Sequence, residues 1–197
     1  TMAGTKVSII DSSGVERIAS LLFVSERQIN YLMPDDLAEG AATVVVTNLA
    51  GTVATELIEI ARVAPGLFSA NADGQGVAAA VVLRVKPDGS QQFEPVAQFD
   101  ESQQRFLTAA IRQANDGEEL YLMLFGTGFR HAATVRAELG GQPVEVVYAG
   151  RQGSASELTG LDQINLGLPK RLRASGEVEL NVRVDGHHAN TLKIRLQ

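Results

Sequence analysis

Strict alternation of apolar and polar residues near the end of the sequence is the feature that most constrains its fold. Residues 178–185 alternate at every position, and residues 191–196 do the same, with Leu192, Ile194 and Leu196 on one side. Since successive side chains of a strand point to opposite faces, each segment predicts a strand with one buried and one solvent-exposed face. The turn signal Asp185-Gly186 lies between them and predicts a hairpin.

Segments of the same kind recur along the chain, separated by turn-forming residues. Leu120–Phe125 is apolar on both faces, which predicts a central strand that is covered on both sides. Many short strands at close spacing predict an all-β sandwich or barrel. The other predicted strands are residues 6–10, 18–24, 29–33, 43–48, 53–60, 77–85, 135–139 and 144–148.

One segment fits two interpretations. Residues 106–111 suit a strand, but Phe106, Leu107, Ala110 and Ile111 also recur at helical spacing. The residues by themselves leave this choice open.

A repeated motif is the strongest internal signal in the sequence. Gln28-Ile29-Asn30 recurs 135 positions later as Gln163-Ile164-Asn165. A proline follows both copies at the same distance, as Pro34 and Pro169, and a valine-rich segment and a turn glycine come after each proline. The repeat predicts that two parts of the chain are copies of one multi-strand unit.

The repeat also predicts the domain organisation. The two copies span about residues 5–62 and 134–197, so we expect an N-terminal unit at 1–64 and a larger C-terminal unit at 65–197. The first copy lacks a counterpart of Leu120–Phe125 and of the glycine turn that follows it. Either the parent chain was cut here, which is the simpler explanation, or the first unit has an open sheet edge that could pair with another chain.

The repeated amides have a structural and a functional interpretation. Strand alternation places the Gln and Asn side chains of each copy on one face, and the Ile on the other. A buried amide left unpaired would cost on the order of 1–3 kcal/mol, so a fixed hydrogen-bond partner is expected. We favour a clamp that holds a crossing loop, because the motif occurs in both copies. A pair of amides that contacts a ligand is the alternative.

The glycine loop Gly126-Thr127-Gly128 follows the most apolar segment of the chain. A glycine-rich loop can hold a phosphate when a helix begins directly behind it. Here a strand-like segment follows, so Gly126 and Gly128 are predicted to form a tight turn or bulge.

Two polar clusters suggest metal ligands, and both are better explained as turns. Asn71, Asp73 and Gln75 alternate in a loop, but the EF-hand pattern requires a glutamate at its twelfth position, which here is Val82. His187-His188 lies next to Asp185 in a predicted turn. Adjacent side chains in a strand-like segment face opposite ways, which argues against both histidines binding one metal ion. We therefore predict no metal-binding residues.

Composition removes several classes of function. The chain has no cysteine, which excludes disulfides, thiolate zinc sites, iron–sulfur clusters and a cysteine nucleophile. Its net charge of −6 and lack of a basic run argue against nucleic acid and anionic membranes as partners. No apolar stretch reaches the roughly 18–20 residues of a membrane span, and no Gly-x-Ser-x-Gly elbow is present. Thus neither catalytic nor cofactor-binding residues are predicted.

An ordered set of short motifs covers nearly the whole chain. The motifs are residues 23–25, 28–31, 64–68, 125–128, 140–143, 160–165, 168–169, 176–178 and 185–190. This set resembles a family of uncharacterised acidobacterial proteins. Members of this family form the C-terminal region of large exported or cell-surface proteins, and their units resemble Ig-like sandwiches of the IPT/TIG type. The resemblance implies tandem Ig-like β-sandwich units, an extended segment at 104–111 and an extracellular or cell-surface location. The family has no assigned activity.

These observations lead us to expect a non-catalytic structural or adhesive module of an exported or cell-surface bacterial protein, with no cofactor. Its partners would be proteins, or further copies that associate through sheet edges. A subunit of an extracellular self-assembling filament or surface layer is one alternative. A carbohydrate-binding module is another, although the chain has no tryptophan to stack on sugars. The first residues, Thr1 to Gly4, run directly into a strand-like segment and show no signal peptide.

Overall fold

The computed structural model describes residue 2 and residues 4–153, 160–170 and 176–197. These residues form strands, turns and loops without a helix, which confirms the predicted all-β class. The strands of the described residues are β1 (Lys6–Ile10), β2 (Glu16–Ile18), β3 (Ser20–Val24), β4 (Ile29–Leu32), β5 (Gly40–Asn48), β6 (Gly51–Ile60), β7 (Gly66–Leu67), β8 (Ala80–Val85), β9 (Gln91–Pro95), β10 (Ala97–Asp100), β11 (Arg105–Thr108), β12 (Ala110–Ile111), β13 (Glu119–Thr127), β14 (Val135–Leu139), β15 (Gln142–Arg151), β16 (Asp162–Leu168), β17 (Gly176–Val184), β18 (His187–His188) and β19 (Leu192–Leu196).

The chain divides into two compact units, Thr1–Arg62 and Val63–Gln197, two residues before the boundary drawn from the sequence. In the first unit β2, β1, β5 and β6 form a four-stranded sheet in that order, and β3 and β4 form a two-stranded ribbon. Side chains of the ribbon, such as Leu21 and Ile29, pack against the buried residues of the sheet. The small core of this unit consists of Val7, Ile9, Ala19, Ala42 and Val44.

The second unit contains one long run of paired strands in the order β12-β19-β17-β14-β15-β16-β13-β8-β9. Strand β15 belongs to both halves of this run, because its first residues pair with β14 and its last residues pair with β16. Buried side chains from both halves join one hydrophobic core, so the halves pack face to face. Members of this core include Val82, Leu122, Leu124, Ile164, Leu166, Leu180, Val182 and Ile194.

Strand β13 occupies the centre of its half, between β8 and β16. The leucines at every second position of β13 are buried in the core, whereas Tyr121, Met123 and Phe125 on the opposite face are only partly buried. The predicted central strand is thus present, but the expectation that both of its faces are covered is wrong.

Most predicted strands are found, with two informative differences and one open choice that the structure decides. The predicted strand 18–24 is interrupted at Ala19, whose amide pairs with Val7 of β1, while the residues after it pair with β4. The ambiguous segment is extended and forms β11 and β12, as the family resemblance implies. Strands β9 and β10 were not predicted, because both are largely exposed and lack a buried apolar face.

The hairpin predicted at Asp185-Gly186 is present between β17 and β18. Both turn residues have a positive φ, as a type I′ turn requires. The Asp185 carboxylate also accepts hydrogen bonds from the backbone amides of Ala133 and Thr134, so it ties this turn to the segment before β14.

The repeat seen in the sequence extends to the register of strand pairing. Strands β1, β5 and β6 of the first unit pair in the order in which β14, β17 and β19 pair in the second, and β3 pairs with β4 as β15 pairs with β16. Strand β2 pairs with β1 as the first residues of β15 pair with β14, so β2 and β3 together correspond to β15. Many residue pairs of one unit have a counterpart in the other. Examples are Ile9–Val44 and Leu139–Leu180, Ala42–Ile58 and Val178–Ile194, and Leu21–Tyr31 and Val146–Leu166.

A β-bulge occurs at the same place in both units. The register of β3 with β4 shifts at Leu22, and the register of β15 with β16 shifts at Val147. A bulge adds one residue to one strand and bends it locally, and it is retained as a feature of a fold. The shared bulge identifies β3 with β15 and β4 with β16.

Candidate functional site

The repeated Gln-Ile-Asn motif lies at β4 and β16. In the second unit Gln163 Nε2 donates to Asn165 Oδ1 at 2.6 Å, and in the first unit Gln28 Nε2 donates to Asn30 Oδ1 at 2.7 Å. Ile164 points the other way and is fully buried. The two amides of each copy therefore share one face of the strand, as alternation predicts. The hydrogen bond between them stays within the strand, so it does not itself hold a crossing loop.

Two other asparagines hold loops of the second unit in the way expected of the repeated motif. The Asn190 carboxamide accepts from the Leu67 amide at 2.7 Å and donates to the carbonyls of Leu67 at 3.0 Å and Gly74 at 2.8 Å. The Asn71 carboxamide accepts from the Phe106 amide at 2.8 Å and donates to its carbonyl at 3.0 Å. Each carboxamide thus makes, to the N–H and C=O of one residue, the two hydrogen bonds that the backbone of a neighbouring strand would make. Sequence reasoning missed both roles, because their partners are distant in the chain.

The loop that carries Asp73 and Gln75 is held by its own hydrogen bonds. Asp73 accepts from the Gln75 amide at 3.0 Å and from the Ser69 hydroxyl at 2.8 Å. The Gln75 amide, followed by the Ser69 hydroxyl, lowers the pKa of Asp73 because both stabilise the charged carboxylate. Within the described residues, no group of three or more acidic or histidine side chains is arranged to bind a metal.

The glycine turn after β13 permits a close approach of two backbones. The Ala64 amide donates to the Gly128 carbonyl at 2.9 Å, and Gly126 pairs with Leu67 of β7. A Cβ at Gly128 would lie 2.0 Å from the Ala64 carbonyl oxygen, and one at Gly126 would lie 2.3 Å from the Gly66 carbonyl oxygen. Both positions therefore require glycine for packing, which accounts for the motif without a bound phosphate.

The two prolines of the repeat end equivalent strands. Pro169 comes directly after β16, and Pro34 lies two residues after β4. Because proline lacks a backbone N–H, it cannot donate to a further pair in the sheet. Both prolines are therefore explained by strand termination.

A buried aspartate stabilises the segment that follows the glycine turn. Asp162 has no exposed surface and accepts hydrogen bonds from the amides of Phe129 at 3.0 Å and Arg130 at 3.1 Å, and from Arg130 Nε at 2.8 Å. The Phe129 side chain is itself buried in the core. Asp162 therefore anchors the chain where it leaves β13, a role that its position in the sequence does not indicate.

Buried charges surround Arg84 on β8, beside a cavity of about 250 Å³. Its guanidinium donates to Glu94 at 2.7 Å, to Glu118 at 2.8 Å and to the carbonyls of Arg112 at 3.0 Å and Gln113 at 3.4 Å. A second bond to Glu94 uses the last of its five N–H donors. Arg84 also lowers the pKa of Glu94 by hydrogen bonding to its charged form. The cluster ties β8, β9 and the segment before β13 together.

The predicted histidine pair is exposed. His187 and His188 form β18 and pair with the end of β17. His188 Nε2 lies 2.7 Å from Arg183 Nη2. Their predicted exposure is confirmed, but the two histidines form a short strand directly after the turn and do not lie in the turn itself.

The two units differ at the edges of two strands. In the second unit β16 pairs with β15 on one side and with β13 on the other, and β19 pairs with β17 and β12. Their counterparts β4 and β6 pair only with β3 and β5 among the described residues. Residues 110–129, which contain β12, β13 and the glycine turn, thus have no counterpart in the first unit. The unpaired edge of β4 is the candidate functional site.

No family model and no curated protein sequence matches this chain. The acidobacterial resemblance therefore stays a prediction. Among the described residues, no helix has the length and apolar character that crossing a membrane requires.

Proposed function

We propose that the chain is a non-catalytic structural or adhesive module of an exported or cell-surface bacterial protein, built from two copies of one Ig-like sandwich unit. The observation that carries this proposal is that the pairing and register of strands, and the position of a β-bulge, recur in the two units. Duplication supplies a repeated structural unit, whereas a single active site gains nothing from it. The cell-surface location follows from the family resemblance.

Three buried or partly buried polar side chains support a structural role, because the protein itself supplies their hydrogen-bond partners. Arg84, Asp162 and Asn190 each make several hydrogen bonds to backbone or to a paired side chain. Among the described residues, each carboxyl group with a shifted pKa has it lowered by donors or cations nearby. A general acid needs the opposite shift, since its carboxyl must stay protonated near neutral pH.

A thermal-shift screen of the full chain tests the absence of a small-molecule ligand. A ligand at about 100 times its Kd stabilises a folded protein by about 2.7 kcal/mol. Each kcal/mol moves the midpoint of a domain of this size by several degrees, so true binding is easily seen. We expect divalent cations, nucleotides and oligosaccharides to leave the thermal unfolding midpoints of both units unchanged. A shift by an oligosaccharide that Tyr148→Ala abolishes would instead establish the carbohydrate-binding alternative, because Tyr148 is a half-exposed aromatic on β15.

Antibody labelling of intact and permeabilised cells tests the location. We expect equal labelling of both samples. Labelling that appears only after permeabilisation would show that the protein does not act at the cell surface.

A further inference from the structure

We propose that the edge of β4 is a docking site for an extended polypeptide strand from outside these 197 residues. This strand runs antiparallel to β4 and carries large apolar residues at alternate positions. The inference rests on the proposed function and deepens it, since it names the chemistry of the strand that completes the first unit.

The second unit shows how this edge is filled. Strand β13 runs antiparallel to β16 over seven residue pairs, from Leu120–Leu168 to Gly126–Asp162. Because β4 and β16 share their register with β3 and β15, bulge included, the free edge of β4 is the one that β13 occupies in the second unit. A strand placed there would complete the first unit in the same way.

Burial of equivalent side chains shows what the missing strand would cover. Ile164 and Leu166 of β16 are fully buried, and they lie opposite Leu124 and Leu122 of β13. Their counterparts on β4, Ile29 and Tyr31, are partly exposed. The partner strand therefore needs large apolar residues opposite Ile29 and Tyr31. Covering them removes apolar surface from water and supplies the driving force.

The neighbouring edge of β6 extends the same site. In the second unit Ile111 of β12 lies beside Leu196 of β19 and is buried. The counterpart of Leu196 is Ile60, which ends β6. Since residues 110–129 connect both edges in the second unit, a continuous partner segment could also place a short parallel strand beside Ile60.

A second copy of this chain is a poor occupant of the site. Its own β13 is already paired on both edges, with β16 and β8. Two β4 strands could pair with each other, but β4 has only four residues, whereas β13 has nine. Each copy also carries a net charge of −6, so like charges oppose close approach.

A labelled synthetic peptide with the sequence of residues 110–130 serves as the probe, because it has the pattern that the site requires. The full chain is titrated against this peptide by fluorescence anisotropy, and hydrogen exchange locates the contact. We expect saturable binding and increased protection of the amides of residues 29–32, with those of β16 unchanged.

Two changes confined to the peptide test the pairing, so the folding of the protein is not affected. L122D should weaken binding at least tenfold, a change of about 1.4 kcal/mol. M123D is the matched control on the opposite face and should have a smaller effect. N-methylation of one set of alternate amides should abolish binding, and methylation of the other set should not, because a strand presents alternate amides to each neighbour.

Several results would overturn the proposal. The first is a failure of the peptide to bind. The second is an equal loss of affinity for both aspartate variants of the peptide, or an equal effect of both methylation patterns on its affinity. The third is protection from hydrogen exchange that is gained at β16 in place of β4. Dimerisation of the chain alone, with protection of β4, would show that a second copy is the occupant. A ligand found in the thermal-shift screen would contradict the proposed function without changing any of these readouts, so the two failures are distinguishable.

Discussion

Replacing Gly128 by alanine should destabilise the second unit by about 2–5 kcal/mol, from two sources. Its φ of +80° costs an L-residue about 1–2 kcal/mol. The new Cβ would also lie 2.0 Å from the Ala64 carbonyl oxygen, so one backbone must move away from the other. That movement would break or weaken the Ala64–Gly128 hydrogen bond and the nearby Phe68–Phe125 hydrogen bond. Each of these bonds contributes about 0.5–1.5 kcal/mol to the free energy of unfolding.

Gly141→Ala is the matched control for this prediction. Gly141 has a similar φ of +76°, but no atom lies within 4 Å of the position of its Cβ. It should therefore lose only the conformational contribution of about 1–2 kcal/mol. Urea unfolding followed by circular dichroism gives both free energies. If the two variants are destabilised equally, the close approach of backbones does not explain the glycine turn.

Four further substitutions test polar side chains of the two units. Asn165→Leu should destabilise the second unit by about 1 kcal/mol, because its buried glutamine partner loses a hydrogen bond. Asn30→Leu should have little effect in urea unfolding, since that pair is exposed, and equal losses would contradict this reasoning. Asp162→Asn should cost about 3–5 kcal/mol, because the neighbouring arginine is left with an unpaired charge, and a loss below about 1 kcal/mol would refute the anchoring role. The pKa of Asp11 is lowered, chiefly by the Ala38 amide, so its charge stabilises the first unit above about pH 4, and this stability is lost as the pH falls towards the lowered pKa. Asp11→Asn should therefore flatten the decline of the first unit's thermal midpoint below about pH 4, and an unchanged slope would disprove it.

Alternation of apolar and polar residues predicted the strands that have one face towards the core and the other towards solvent. Residues 178–185 and 191–196 alternate because one side of each segment faces the core and the other faces solvent, and the structure has the two strands and the turn after the first of them. Strand β9 carries no such pattern, since most of its side chains are exposed. The sequence could not predict the break at Ala19, because residues 18–24 are mostly apolar on both sides of it. What changes there is the partner strand, which is β1 before the break and β4 after it.

Sequence patterns were enough to predict the all-β class, two copies of one multi-strand unit and a glycine turn after the strand at residues 120–125. The asparagines that hold loops could be identified only from the folded chain, since Asn71 and Asn190 bond to backbone more than 30 residues away in the sequence. The partners of Arg84 and the unpaired edge of β4 were equally hidden. The physical reason is that alternation fixes the face to which a side chain points, whereas the strand that comes to lie beside it depends on long-range packing.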